Sequence, residues 1–258
     1  MLRQGTGEPL LLLHGVTGGE RMWRHVVPLL AQRHDTIAPT MLGHRGGHPA
    51  VEHPALVSHL VDDVERMLDQ LDLGTPHLAG NSMGGWVALE LARRGRARSV
   101  CALSPAGTWE AGTDSQVHGR ARLRRTVRNV RRGRLFLPLF ARSAAFRRRA
   151  FIDAAEHADR ITPAEVVESA DDVIGCVVAE ELLATTEQLA PMDPLPCPVT
   201  IAWSERDRIL PLAVNGARAR ELFPAAEFVV LPDLGHVPMF DDPRLVAETI
   251  LARTAAPG

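Results

Sequence analysis

What most constrains the fold is a rhythm in the chain: short apolar runs of strand character alternate with segments of helical spacing. The runs are Pro9 to Leu13, His34 to Ala38, His77 to Gly80, Ser99 to Leu103, Val199 to Trp203 and Phe228 to Leu231. Between the first two, Glu20 to Ala31 has helical spacing broken at Pro28. Further on, Val57, Leu60, Val61, Val64, Met67, Leu68 and Leu71 recur at i, i+3, i+4 and i+7, an amphipathic helix. Trp86 to Ala92 is helical and stops at the basic turn Arg93-Arg94 before Gly95. A last helix starts after Asp242-Pro243 and fills Arg244 to Ala252. Strands that are apolar along their length, each followed by a helix, predict an α/β chain with a mostly parallel sheet flanked by helices.

From Thr108 to Pro198 the rhythm stops and only helical pattern remains. Thr162-Pro163-Ala164-Glu165 is a capping box with proline at the first helical position, so one helix begins there. The region reads as an inserted helical lid over residues 108–198, with residues 1–107 and 199–258 forming the core. The lid is electrically lopsided. Twelve arginines and no acidic residue lie between Ser115 and Ile152, whereas Asp153 to Pro191 holds ten acidic residues and one arginine, Arg160. Two halves that neutralise each other account for this, and so does a basic surface for an anionic substrate or carrier protein; the pairing is the simpler account.

Composition narrows the chemistry. All 29 basic residues are arginine, and tyrosine is also missing from the 258 residues. Without lysine there is no Schiff base, P-loop lysine or pyridoxal anchor. Without tyrosine there is no phenolic acid or base. A net charge of −2 gives no reason to expect nucleic acid. No apolar stretch approaches bilayer-spanning length, and the run Leu10 to Leu13 lacks a cleavage site after it, so neither a membrane partner nor a signal peptide is expected. Cys101, Cys176 and Cys197 are far apart and form no CxxC, in keeping with reduced thiols and a cytoplasmic location. His44 and His48 share a glycine-rich loop with no helix to align them and no carboxylate base between them, so no metal and no cofactor are expected.

Gly80-Asn81-Ser82-Met83-Gly84 fits G-x-S-x-G, and it sits where a strand runs into a helix. A serine exposed on so sharp a turn needs small neighbours. Leu13-His14-Gly15-Val16 ends the first strong strand, where a second oxyanion donor belongs, and His14 reads as a residue that shapes this turn rather than as a base. Asp207 follows the strand ending at Trp203, and His236 follows the strand ending at Leu231. The order Ser, carboxylate, His is thereby complete. Glu205 and Asp233 are rival carboxylates, better placed on solvated loops.

With these three motifs in order, the chain resembles the α/β-hydrolase fold superfamily, in particular its bacterial serine hydrolases. The resemblance implies Ser82 as nucleophile, His236 as general base and acid, Asp207 as the carboxylate that orients His236, and the backbone N–H groups of Val16 and Met83 as the oxyanion hole. Related epoxide hydrolases and haloalkane dehalogenases carry aspartate where Ser82 stands, and the epoxide enzymes use lid tyrosines. Hydroxynitrile lyases of this fold need a lysine. The expected activity is therefore hydrolysis of a small ester, lactone or thioester. Two alternatives stay open. The elbow with Gly85 is similar to that of carbon–carbon hydrolases acting on vinylogous diketone carboxylates, although Val237 stands where those enzymes typically have tryptophan. A non-hydrolytic ligand- or carrier-binding protein is the other. The expected partner is a small molecule, with an anionic one suited to the lid arginines, and Trp109, Phe136, Phe140, Val237 and Met239 are the candidate pocket residues.

Overall fold

The computed structural model describes residues 1–109 and 114–255, with side chains in the second stretch from residue 121 onward. Its centre is a seven-stranded sheet built from β1 (Leu2–Gln4), β2 (Glu8–Leu13), β3 (His34–Ala38), β4 (His77–Asn81), β5 (Ser99–Leu103), β6 (Val199–Ser204) and β7 (Glu227–Leu231), in the order β1-β3-β2-β4-β5-β6-β7. All neighbours are parallel except β1, which runs antiparallel to β3 with Leu2 opposite Ala38. That edge strand escapes the sequence pattern because its burial is slight: only three residues pair, and two of them are exposed.

The continuous apolar runs follow from burial on both faces. Leu11 and Leu13 join one core with Leu78, Val100, Ile201 and Trp203, whereas Leu10 and Leu12 join the opposite core with Ala79, Cys101, Leu103 and Val246. The four consecutive leucines of β2, Leu10 to Leu13, are therefore all buried, and no polar alternation is possible among them. The helices in chain order are α1 (Val27–Leu30), α2 (Val57–Gln70) and α3 (Met83–Arg93), then α4 (Asp114–Gly133), α5 (Leu137–Phe140), α6 (Ala144–Ala150), α7 (Pro163–Gly175) and α8 (Ala179–Ala184), and finally α9 (Ala217–Leu222), α10 (Pro238–Asp241) and α11 (Pro243–Ala255). Helices α2 and α3 cover the first face, and α1 and α11 the second. Pro28 sits at the start of α1, so the apolar spacing from Glu20 to Ala31 resolves into a 3₁₀ turn, Glu20–Trp23, and this separate short helix.

Helices α4 to α8 are inserted between β5 and β6, with no strand among the described residues there. The Thr162 hydroxyl accepts from the Glu165 N–H at 3.3 Å and the Glu165 carboxylate accepts from the Thr162 N–H at 2.8 Å, the reciprocal bonds that start α7. The lid charges do pair across its halves: Arg122 with Asp153 (3.1 Å), Arg124 with Glu180 (3.1 Å) and Arg134 with Asp171 (2.6 Å). The acidic half is also held by arginines of the core, with Arg45 and Arg21 on Asp172, Arg24 on Glu168 and Arg208 on Glu156. Arg120, part of the basic block, lies outside the described side chains.

Candidate active site

Four loops meet at the carboxyl ends of the parallel strands, where open α/β sheets place their sites. The turn from β4 into α3 holds Ser82 at φ 56°, ψ −116°, a left-handed conformation that a non-glycine residue adopts only under local constraint. The constraint is close packing. A Cβ on Gly80 would lie 2.2 Å from the Gly84 carbonyl oxygen, and one on Gly84 would lie 2.1 Å from that of Leu13. Only glycine allows β4, the start of α3 and the end of β2 to approach so closely. Gly15 completes the arrangement, since a Cβ there would stand 3.4 Å from the Ser82 Cβ. The Gly15-Val16 turn thus runs beside the serine, and Met83 opens α3, where backbone N–H groups have no partner within the helix.

His14 fixes that turn. The Met41 N–H donates to its Nε2 (3.0 Å), so the proton is on Nδ1, which donates to the Gly15 carbonyl (2.8 Å). Burial, reinforced by the neighbouring His44, lowers its pKa to about 3, so the ring stays neutral. His44 packs edge-on against it at 4.8 Å, donates from Nδ1 to the Leu42 carbonyl, and is lowered to about 4 by the same burial. His48 instead meets Asp63 at 2.9 Å. Among the described residues no group of three or more metal-ligating side chains gathers anywhere.

Asp207, in the loop after β6, and His236, after β7, come together in the interior. The His236 Nδ1–H donates to Asp207 Oδ2 at 2.7 Å, and both side chains are almost fully shielded. The other carboxylate oxygen accepts the N–H groups of Ile209 (2.9 Å) and Leu210 (2.7 Å), which fixes the plane of the acid. The Trp203 indole N–H holds the same loop through the Leu210 carbonyl. With Nδ1 engaged, Nε2 is the ring nitrogen left for chemistry. Glu205 and Asp233 are exposed, and Glu205 accepts the Asp233 backbone N–H.

Ser82 and His236 line one cavity of about 180 Å³, roofed by the insertion. Its apolar wall includes Leu123, Leu137, Phe151, Ile209, Val237 and Phe240. Among the described residues no arginine lines it; the charged side chains there are Asp153 and Asp172, both tied to arginines. Of the five candidate pocket residues, Val237 is in the lining. Trp109 instead packs edge-on against Trp86 at 5.6 Å, and Met239 is buried in the core under the second sheet face. Phe136 and Phe140 are exposed on the outer side of the insertion. Position alone does not reveal which aromatics turn inward, whereas Leu123, Val127 and Val130 recur at helical spacing in α4, and Leu123 and Val130 line the cavity.

Two polar residues of the site carry no motif. The Asn81 Nδ2 donates to the carbonyls of His236 (2.9 Å) and Leu103 (3.2 Å), joining the serine turn to the histidine loop. Asp241, buried in α10, accepts the N–H groups of Gly235 (2.7 Å), Glu156 (3.0 Å) and His157 (2.7 Å), joining that loop to the insertion. Neither is legible in the sequence, because these bonds go to backbone atoms and all but that of Gly235 reach positions remote in the chain.

Residues 10–249 match the alpha/beta hydrolase family. The chain is 32% identical over 195 residues to epoxide hydrolase EphH of Mycobacterium tuberculosis, spanning 74% of this chain and 91% of that protein. It is 38% identical over 112 residues to 2-hydroxymuconate semialdehyde hydrolase of a Pseudomonas species, covering 40% of this chain and 38% of that protein, well under two thirds of the latter's length. Bromoperoxidase from Bacillus anthracis superposes with a TM-score of 0.75 at 20% identity over 97% of this chain and 93% of that one, a likeness of fold. No described helix is long and apolar enough to cross a membrane.

Proposed function

The chain belongs to the alpha/beta hydrolase family, and on that premise we propose that it is a serine hydrolase cleaving a small neutral ester, lactone or thioester through an acyl-enzyme on Ser82. The observation that carries this reading is the buried His236 Nδ1–H to Asp207 bond at 2.7 Å, with His236 lining the same cavity as the strained Ser82. A serine hydroxyl at neutral pH needs a base to become nucleophilic, and Asp207 leaves Nε2 as the basic nitrogen.

In the first half-reaction the Ser82 Oγ attacks the carbonyl carbon while His236 Nε2 takes its proton. The tetrahedral oxyanion is met by the N–H groups of Val16 and Met83. Asp207 stabilises the imidazolium, which then protonates the leaving oxygen or sulfur as the bond to it breaks. A water molecule, deprotonated by His236, attacks the acyl-enzyme, and Ser82 leaves with the proton returned. The apolar lining supports an uncharged acyl group.

The related names weigh as follows. Epoxide opening by the route described above needs an aspartate at the elbow and lid tyrosines, and here Ser82 stands in a chain without tyrosine. Carbon–carbon cleavage of a dienoate would bring a carboxylate into a lining where no arginine is found among the described residues. Ser82→Ala tests the reading: hydrolysis of short p-nitrophenyl esters falls on the order of 10⁵-fold, fluorophosphonate labelling is lost, and the melting temperature holds. Esterase activity retained in Ser82→Ala overturns it. A wild-type protein that neither labels nor hydrolyses any ester, yet binds a ligand, favours the non-hydrolytic alternative.

A further inference from the structure

The insertion carries an apolar surface that no part of the described chain covers. Leu135 is 88% exposed, Phe136 63%, Leu139 65% and Phe140 52%. They lie on the turn leading into α5 and on α5 itself, as two i, i+4 pairs, and the Phe140 ring stacks on Phe146 of α6 at 5.7 Å, which extends the surface. Four large apolar side chains clustered in solvent are unusual in a protein that works alone in water. Leu137, from the same turn, lines the cavity of Ser82, as does Ala150 at the end of α6. One face of this turn is cavity wall; the other is bare.

The charge around it is one-sided. Arg131 and Arg132 end α4 just before the turn, and Arg142, Arg148 and Arg149 follow it, all exposed, in a stretch of sequence without an acidic residue. Among the described ion pairs only Arg148 of these five has an acid within reach, Asp159 at 3.7 Å. The arginines that pair closely with the acidic half, Arg122, Arg124 and Arg134, lie on either side of Arg131 and Arg132 in the chain. Apolar side chains set among arginines, four of the five without an acid in reach among the described ion pairs, are what an anionic lipid surface takes: acyl tails for the former, phosphate headgroups for the latter.

We propose that residues 131–149 dock the protein on an anionic lipid interface, with Leu135, Phe136, Leu139 and Phe140 entering the acyl boundary and the flanking arginines engaging phosphates. A second copy of the chain is a poorer occupant, because self-association would set these arginines against one another. The expectation of no membrane partner came from spanning length, and docking needs no span. Docking would also present the wall of the catalytic cavity to esters dissolved in the interface. That consequence rests on the serine-hydrolase reading; the docking itself does not.

Co-sedimentation with vesicles tests it, using mixed phosphatidylglycerol and phosphatidylcholine against phosphatidylcholine alone. The full chain is expected on the anionic vesicles and to leave them as salt rises. Leu135→Ser with Leu139→Ser, and separately Arg142→Glu with Arg149→Glu, weaken partitioning by roughly tenfold or more, with unchanged melting temperatures and unchanged rates on a water-soluble ester. Ser82→Ala binds as the wild type does, so failure of the catalytic reading leaves this result standing. Absence of binding to anionic vesicles overturns the proposal. So does binding that both double variants retain, or a dimer that forms in place of vesicle binding and dissolves in Leu135→Ser/Leu139→Ser.

Discussion

Asp241 offers the sharpest test of how the insertion and the His236 loop depend on each other. Its Oδ2 accepts from Gly235 and Glu156, and its Oδ1 from His157, so one carboxylate spans the residue before His236 and two residues of the insertion. Val237 reinforces the link by donating its N–H to the Ala154 carbonyl at 2.8 Å. In Asp241→Asn one acceptor becomes an NH₂ group that faces an N–H, so at least one of three bonds is lost and a donor is left unpaired. At roughly 1–3 kcal/mol for an unsatisfied buried donor, and the lower end for the half-buried His157 N–H, the cost is about 1–2 kcal/mol. In a domain of this size that lowers the melting temperature by about 2–8 °C. The catalytic effect should be larger than the loss of stability suggests, because displacement of a catalytic group by about 1 Å costs on the order of 100-fold. The expected result is a kcat reduced roughly ten- to a hundredfold with KM near that of the wild type, measured on a short ester well below the melting temperature. Asp241→Ala, which leaves all three donors unpaired, should lose about 4 kcal/mol by the same arithmetic. If Asp241→Asn melts early but keeps full kcat, the carboxylate supports the insertion alone and the coupling to His236 is refuted.

Two further perturbations follow from the packing behind the serine. His44 has a folded pKa of about 4 against an ordinary value of 6.5, so its contribution is fully present above pH 6.5 and is lost as pH falls toward 4, where only the unfolded chain takes up the proton. Between about pH 7.5 and about pH 5 the wild type should lose about 2 kcal/mol more than His44→Gln in urea unfolding, and parallel losses in both proteins would refute the neutral buried ring. Gly84→Ala would place a methyl group 2.1 Å from the Leu13 carbonyl oxygen and 2.6 Å from that of His14, so a protein melting more than about 10 °C lower, or an insoluble one, is expected; Gly133→Ala, with nothing within 4 Å of its new Cβ, should cost nothing and gain up to about 1 kcal/mol.

How much of this was legible in the sequence depends on whether a residue's role is local. The sheet could be read because each strand of the core buries side chains on both faces, so β2 is written as four consecutive leucines. The serine turn could be read because its geometry excludes Cβ atoms at Gly80 and Gly84, a demand that local sequence must satisfy. Asp207 and His236 could be singled out by their order after β6 and β7, and they lie 2.7 Å apart in the fold. The cavity wall was not legible. Its members come from the insertion, the aspartate loop and the histidine loop, and the side chain that turns inward depends on how helices of near-uniform polarity are rotated. Leu137 faces the cavity while Leu135, Phe136, Leu139 and Phe140 face solvent, and nothing in the composition of that turn separates them. The same rotation divides the arginines. Arg122 and Arg134 face acids of the opposite half, whereas Arg131 and Arg132, between them in sequence, do not. Pairing and an exposed basic face are alternatives for the insertion as a whole, yet one segment can present both, because helical residues one or two apart point in different directions and Arg134 lies just past the end of α4 at Gly133. The charge block is thus neither wholly structural nor wholly free, and its unpaired part sits next to the apolar surface rather than inside the cavity. On the proposed readings, that placement separates specificity, set by an apolar lining whose only acids, Asp153 and Asp172, are paired with arginines, from location, set by a charged exterior.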